Sequence, residues 1–152
     1  MRSRIVVDSE AMRPDARAWF SGRTTSARSL DAIDVDGLVA AKRRSGSLVS
    51  VVLPARDEEA TVGLLVSDIA ERWMHRVHLV DELVVVDSDS TDATAEVARA
   101  AGADVVATSD VLPAHGSRPG KGEALWKSLA ATTVDLVAWC DADIVDFGVS
   151  TF

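Results

Sequence analysis

The chain has 152 residues and a single cysteine, Cys140, so it holds no internal disulfide framework and suits a reducing cytoplasm. Cys140 reads as a small apolar residue that ends a strand, and no partner that would make it a nucleophile is evident. No apolar run approaches the twenty or so residues of a membrane span, which argues against a membrane protein. The basic start, Met1-Arg2-Ser3-Arg4-Ile5-Val6-Val7-Asp8, carries too short an apolar stretch for a signal peptide. Internal repeats and low-complexity segments are lacking. Basic charge is also scarce where the globular pattern lies. Residues 1–46 hold nine Lys/Arg and six Asp/Glu, a net +3, whereas the remainder holds seven and eighteen, a net −11. The acidic part lacks the basic face of a nucleic-acid binder.

What is present is a core-forming composition, with 47% hydrophobic and 26% charged residues, enough for one globular domain. Residues 1–46 show no sustained period and read as an N-terminal extension. Short helices are expected at 15–19 and 36–44, and Trp19 and Phe20 are its expected anchors. From residue 47 the pattern changes. Leu48-Val49-Ser50-Val51-Val52-Leu53 is a continuous apolar run that predicts a strand buried on both faces, ended by Pro54. Val62, Leu65, Val66, Ile69 and Trp73 then recur at helical spacing. Leu83–Val86 predicts a second strand and Ala93–Ala100 a helix, with Gly102 as its C-cap. Residues 104–107 predict a third strand. A loop follows over 108–119, then a helix from Gly120 to about Ala131, and a fourth buried strand leading into Cys140-Asp141-Ala142-Asp143. Alternating strands and helices predict an α/β fold with a mostly parallel sheet.

In such a sheet the strand ends lie along one edge, where ligands bind. Three polar clusters stand there: residues 54–58, 87–92 and 141–143. Converging carboxylates repel unless a cation or solvent intervenes. Magnesium accepts one or two carboxylates and completes its shell with water and substrate phosphates, so Asp141 and Asp143 suit a metal-diphosphate site. Lys121, at a helix N-terminus, suits a phosphate. A phosphate-binding P-loop is excluded, because His115 stands where its first glycine belongs and Gly122 where it needs Ser or Thr. An EF-hand starting at Asp87 fails at Asp92 and Ala98. Asp87-Ser88-Asp89-Ser90-Thr91 after an apolar strand does match the start of a haloacid-dehalogenase-like phosphatase, with Asp87 as nucleophile. Ser90, Thr91 and Asp92 also suit capping of the next helix. His75, His78 and His115 read as surface or loop residues.

The set Pro54-Ala55-Arg56-Asp57-Glu58-Glu59, Asp87-Ser88-Asp89-Ser90-Thr91-Asp92, Arg118-Pro119-Gly120-Lys121-Gly122-Glu123-Ala124 and Asp141-Ala142-Asp143 resembles the GT-A glycosyltransferases. Among them it is similar to the glucosyl-3-phosphoglycerate synthases of actinobacteria. The resemblance implies a Rossmann-like GT-A nucleotide-sugar-binding domain over 47–152. It implies glucose transfer from UDP-glucose to 3-phosphoglycerate, with retention and a divalent cation, Mg²⁺ or Mn²⁺. Pro54, Ala55, Glu58 and Ser88 would then surround the nucleotide and Lys121 would meet the diphosphate or nucleotide. Asp141 would hold the ribose or orient the site, and Asp143 would bind the metal. The family's usual Leu-Asn is replaced by Arg56-Asp57 in the first turn. Family members continue well past the Asp-x-Asp and commonly dimerise. The chain is therefore expected to be truncated after that strand, holding the donor half and most of the acceptor pocket not at all. A non-catalytic nucleotide-sugar-binding fragment is the further alternative.

Overall fold

A computed structural model describes residues 34–145. The expected helix at 15–19 and the anchors Trp19 and Phe20 lie outside them. The elements in order are α1 (Val35–Ser45), β1 (Val49–Ala55), α2 (Val62–Ile69), β2 (Glu82–Asp87), α3 (Thr94–Ala100), β3 (Asp104–Ala107), α4 (Lys121–Ala131) and β4 (Leu136–Trp139). The four strands form one parallel sheet in the order β3-β2-β1-β4. Helix α2 runs on into π-helical turns over Ala70–Arg76, where the Val77 N–H bonds the Arg72 carbonyl at 2.9 Å. The periodicity through Trp73 did not distinguish that wider winding. Gly102 adopts φ +106°, the left-handed geometry expected just past a helix.

The two middle strands explain their own composition. In β2, Leu83 to Val86 are all buried, because side chains on both faces meet helices. Leu53, Ala55, Leu83 and Val85 pack on one face against Val62, Leu65, Val66 and Ile69 of α2 and Ala98 of α3. Val52, Val84 and Val86 pack on the other against Ala124 of α4. Burying a Leu or Val contributes about 1.5–3 kcal/mol, so the first face carries the larger share of the core. Helices α2 and α3 approach closely at Gly63, where an added Cβ would stand 2.7 Å from Val97 Cγ1.

Strand β4 departs from the buried strand expected. Leu136 is 57% exposed and Trp139 50%, because β4 is a sheet edge bonded only to β1 among the described residues. Its apolar sequence marked it as a strand but carried no information about its place in the sheet. No helix among the described residues is long and apolar enough to cross a membrane.

Helix α1 begins at Asp34, whose carboxylate accepts the Gly37 N–H at 2.8 Å. It is tied to the sheet by Asp81, which accepts Lys42 Nζ at 2.6 Å and the Val49 N–H at 2.8 Å. Burial pushes the Asp81 carboxyl up, but the bonds from Lys42 and Val49 and the lysine's charge outweigh it and hold it below its ordinary 3.8. A depressed carboxyl stabilises the fold above its unfolded value and stops doing so as pH falls through its lower folded value. Asp81→Ala is therefore expected to cost about 1–2 kcal/mol at pH 7 in urea denaturation, and less in acid, once the pH has fallen below the ordinary carboxylate range. An equal cost at both pH values would contradict this assignment.

Candidate active site

The carboxyl ends of β1 and β2 stand level, with Pro54 opposite Val86 and Ala55 opposite Asp87. On the other side Val52 pairs with Trp139, and the Cys140 N–H continues the ladder to the Val52 carbonyl at 3.0 Å. Three loops thus leave the sheet at one edge, as the parallel arrangement requires.

Two of these loops are laced together by reciprocal bonds. The Asp57 N–H donates to Ser90 Oγ at 3.0 Å, and Asp57 Oδ1 accepts the Thr91 N–H at 2.7 Å. The Glu58 N–H donates to the buried Thr94 Oγ1 at 2.7 Å. The Glu59 N–H donates to Asp92 Oδ2 at 3.1 Å, while Glu59 Oε2 accepts the Ala93 N–H at 2.9 Å. Asp92 also accepts the Thr94 N–H and hydroxyl. The Thr94 hydroxyl bond holds the Asp92 carboxyl below its ordinary value, against a smaller opposing effect of burial. Asp92 thus accepts the first N–H of α3 from just outside the helix, but the N-cap position is Ala93, which has no side-chain cap, and Ser90 and Thr91 face the neighbouring loop, so the expected capping is only partly met. The third loop joins through Thr61, whose Oγ1 donates to the Ala142 carbonyl at 2.7 Å.

Between the loops lies a cleft of about 230 Å³ lined by Pro54, Ala55, Arg56, Glu58, Ser88, Gly120, Lys121, Ala142 and Asp143. Pro54, Ala55, Glu58, Ser88, Lys121 and Asp143, named from sequence, therefore share one cavity. Asp141 is not in its lining and instead forms an ion pair with Lys121 at the mouth. A neighbouring hollow of about 290 Å³ shares Arg56, Ser88 and Gly120 and adds Asp89, Thr108, Ser117, Arg118 and Pro119. The sequence did not single out Gly120 and Arg118 individually as lining residues. The 108–119 loop folds back through a short 3₁₀ turn at Pro113–His115, and no spacing rule reported that.

No group of three or more His, Cys, Asp or Glu side chains among the described residues could by itself hold a metal. Asp143 is one exposed carboxylate facing the cleft. That donor set fits a hard cation whose remaining ligands are water and phosphate oxygens. Burial and the nearby Asp141 charge push the Cys140 thiol up, against a lesser effect of Lys121, so it stays protonated and unreactive.

Residues 50–147 match the model of glycosyl transferase family 2. The chain belongs to that family. It is 52% identical over 103 residues to glucosyl-3-phosphoglycerate synthase of Mycolicibacterium smegmatis, covering 68% of this chain and 33% of that protein. The chain thus spans about a third of the length of the curated relatives it matches. The crystal structure of mannosyl-3-phosphoglycerate synthase from Rubrobacter xylanophilus superposes with a TM-score of 0.78 at 38% identity, covering 86% of this chain and 41% of that one. Glucosyl-3-phosphoglycerate synthase from Mycobacterium tuberculosis, in complex with Mn²⁺, UDP and glucosyl-3-phosphoglycerate, superposes with a TM-score of 0.68 at 48% identity, covering 74% and 39%. The fold is accordingly the α/β, GT-A-like arrangement that the motifs implied.

The family corrects the phosphatase alternative. Asp87 is no free nucleophile: its carboxylate accepts both the hydroxyl and the N–H of Ser90, and it does not line the cleft. The apolar strand followed by Asp-x-Asp-x-Thr is common to both folds at the level of residues; what differs is where the carboxylates point.

Asp57 sits at φ +55°, in the left-handed region that asparagine tolerates better than alanine. Asp57→Asn keeps the acceptor and the backbone geometry and is expected to change stability by less than about 0.5 kcal/mol. Asp57→Ala loses both and is expected to cost about 1–2 kcal/mol in urea denaturation. Equal costs would show that the loop lacing is not what Asp57 contributes.

Proposed function

We propose that this chain is the donor-binding portion of a cytoplasmic glucosyl-3-phosphoglycerate synthase, which transfers glucose from UDP-glucose to 3-phosphoglycerate with a divalent cation. The observation that carries this reading is the single cleft that gathers Pro54, Ala55, Glu58, Ser88, Lys121 and Asp143 at the carboxyl edge of a family 2 domain. The similar enzyme from M. tuberculosis was solved with Mn²⁺, UDP and the glucosylated product; one further structure of it holds Mg²⁺ and UDP, and another holds phosphoglyceric acid.

Each residue has a task that its place supports. Pro54 and Ala55 offer apolar wall and backbone at the end of β1, with Glu58 and Ser88 as polar contacts for the nucleoside. Lys121 opens α4, whose N-terminus has no side-chain cap, so its ammonium and the helix N-terminus could serve one anion. Asp143 would hold Mg²⁺ or Mn²⁺ against the diphosphate. Bound there, the cation would stabilise negative charge on the β-phosphate as UDP departs. Lys121 adds to that stabilisation without needing a proton transfer. Asp141 would hold the ribose or orient Lys121, with which it pairs. On this reading the acceptor pocket and the groups that direct retention would lie in the two thirds of the relatives' length that this chain does not span.

That coverage favours a second reading, in which the chain binds the nucleotide sugar and transfers nothing by itself. Both readings share the donor test. Calorimetry of UDP-glucose with Mn²⁺ is expected to show binding that Asp143→Ala weakens about tenfold or more, with a smaller loss when metal is left out of both proteins. Folded wild-type protein that binds no UDP-glucose would sink both. Glucose transfer to 3-phosphoglycerate by this chain would exclude the second.

A further inference from the structure

Among the described residues Lys127 is the only buried charged residue, with no solvent exposure. Lysine is almost never fully buried unless paired, because moving an ammonium out of water costs several kcal/mol. Here all three of its protons are matched. Nζ donates to the Thr108 carbonyl at 2.7 Å and the Gly116 carbonyl at 2.7 Å, and pairs with Glu123 Oε1 at 3.1 Å. Glu123 also accepts Trp126 Nε1 at 2.9 Å. The Trp126 bond is the main cause that holds its carboxyl below the ordinary value, against a smaller effect of burial and with help from Lys127. Trp126 meets the His115 ring edge-on, with centroids 6.0 Å apart.

These contacts fall on one stretch. One side chain holds the 108–119 loop at both Thr108 and Gly116, and Glu123 holds that side chain in turn. Thr108 is itself anchored to the sheet, its N–H donating to the Asp87 carbonyl at 2.8 Å. Directly after Arg118 the chain reaches Gly120, at φ +120°, and Lys121, both of which line the cleft. A buried ion pair is weak support for stability, since apolar side chains of like volume often serve as well or better. What it supplies is a fixed geometry for backbone carbonyls that no helix or strand satisfies.

We propose that Lys127 is a positioning residue of the donor cleft: it clamps the 108–119 loop onto α4 so that Gly120 and Lys121 face the ligand. The proposal rests on the reading of that cleft as the donor site. Lys127→Met, close in volume and without donors, is compared with the wild type by hydrogen exchange without ligand and by UDP titration with Mn²⁺. Exchange over 109–119 is expected to rise about tenfold or more while the amides of β1 and β2 keep their rates. UDP affinity is expected to fall about tenfold. Lys127→Gln, whose amide can still reach one carbonyl, is expected to recover part of both, and it carries the same comparison where the methionine variant does not fold. An unchanged loop, or a loosened loop with unchanged affinity, overturns the proposal. Wild-type protein that binds no UDP counts against the donor reading, and the clamp is then decided by the ligand-free exchange alone.

Discussion

Strand β1 hydrogen-bonds on both sides, and its register fixes the level of all three loops at the cleft. Ala55 opposite Asp87 brings the first two strand ends flush, and Val52 opposite Trp139 places the third loop beside them. A slip of one residue would turn Leu53 and Ala55 to the α4 side and Val52 to the α2 side, exchanging two unlike faces. That cost holds the register, so a core contact far from any ligand determines whether Glu58, Ser88 and Asp143 share one cavity. The loops need contribute no folding energy to meet; the sheet delivers them, and their mutual hydrogen bonds set the remaining geometry.

Acidity at this edge has two separate uses. Asp57 and Glu59 accept backbone N–H groups of the next loop, Asp92 accepts from Glu59 across the loops and from Thr94 beside it, and Asp87 accepts from Ser90 within its own loop. Those donors satisfy the carboxylate oxygens within the loops themselves. Asp141 is neutralised by Lys121. Asp143 and Glu58 are the carboxylates that line the cleft. Local density of acidic residues is therefore a poor measure of metal affinity in this chain; what counts is which oxygens the backbone leaves unclaimed.

The parts legible in the sequence were those written in local patterns. Strands β1 to β3 follow from apolar runs, and α4 from the glycine-lysine-glycine opening and the spacing after it. The positions at the cleft followed from strand ends and from family motifs together. What the sequence concealed was long-range. Asp57 with Thr91 and Glu59 with Ala93 are hydrogen-bonded partners far apart along the chain, and nothing in either segment names the other. The exposure of β4 depends on its order in the sheet. Nothing in the local pattern marks Lys127, because burial of a lysine becomes visible only when a returning loop covers it.

Helix α4 carries its two lysines in opposite settings, and the contrast bears on how a charged ligand could be received. Lys121 and Asp141 are about half exposed, and exposed pairs of this kind contribute about 0–1 kcal/mol, so exchanging one carboxylate for a diphosphate has little electrostatic barrier. Lys127 is buried and multiply bonded and its partner Glu123 is only slightly exposed, so breaking that pair would strand the ammonium in a medium that cannot solvate it. The first turn of the helix can therefore change partners while the second holds the loop still. A phosphate site needs both properties, because a lysine that could not leave Asp141 would not bind the ligand, and one on an unanchored loop would lose affinity to the entropy of ordering it.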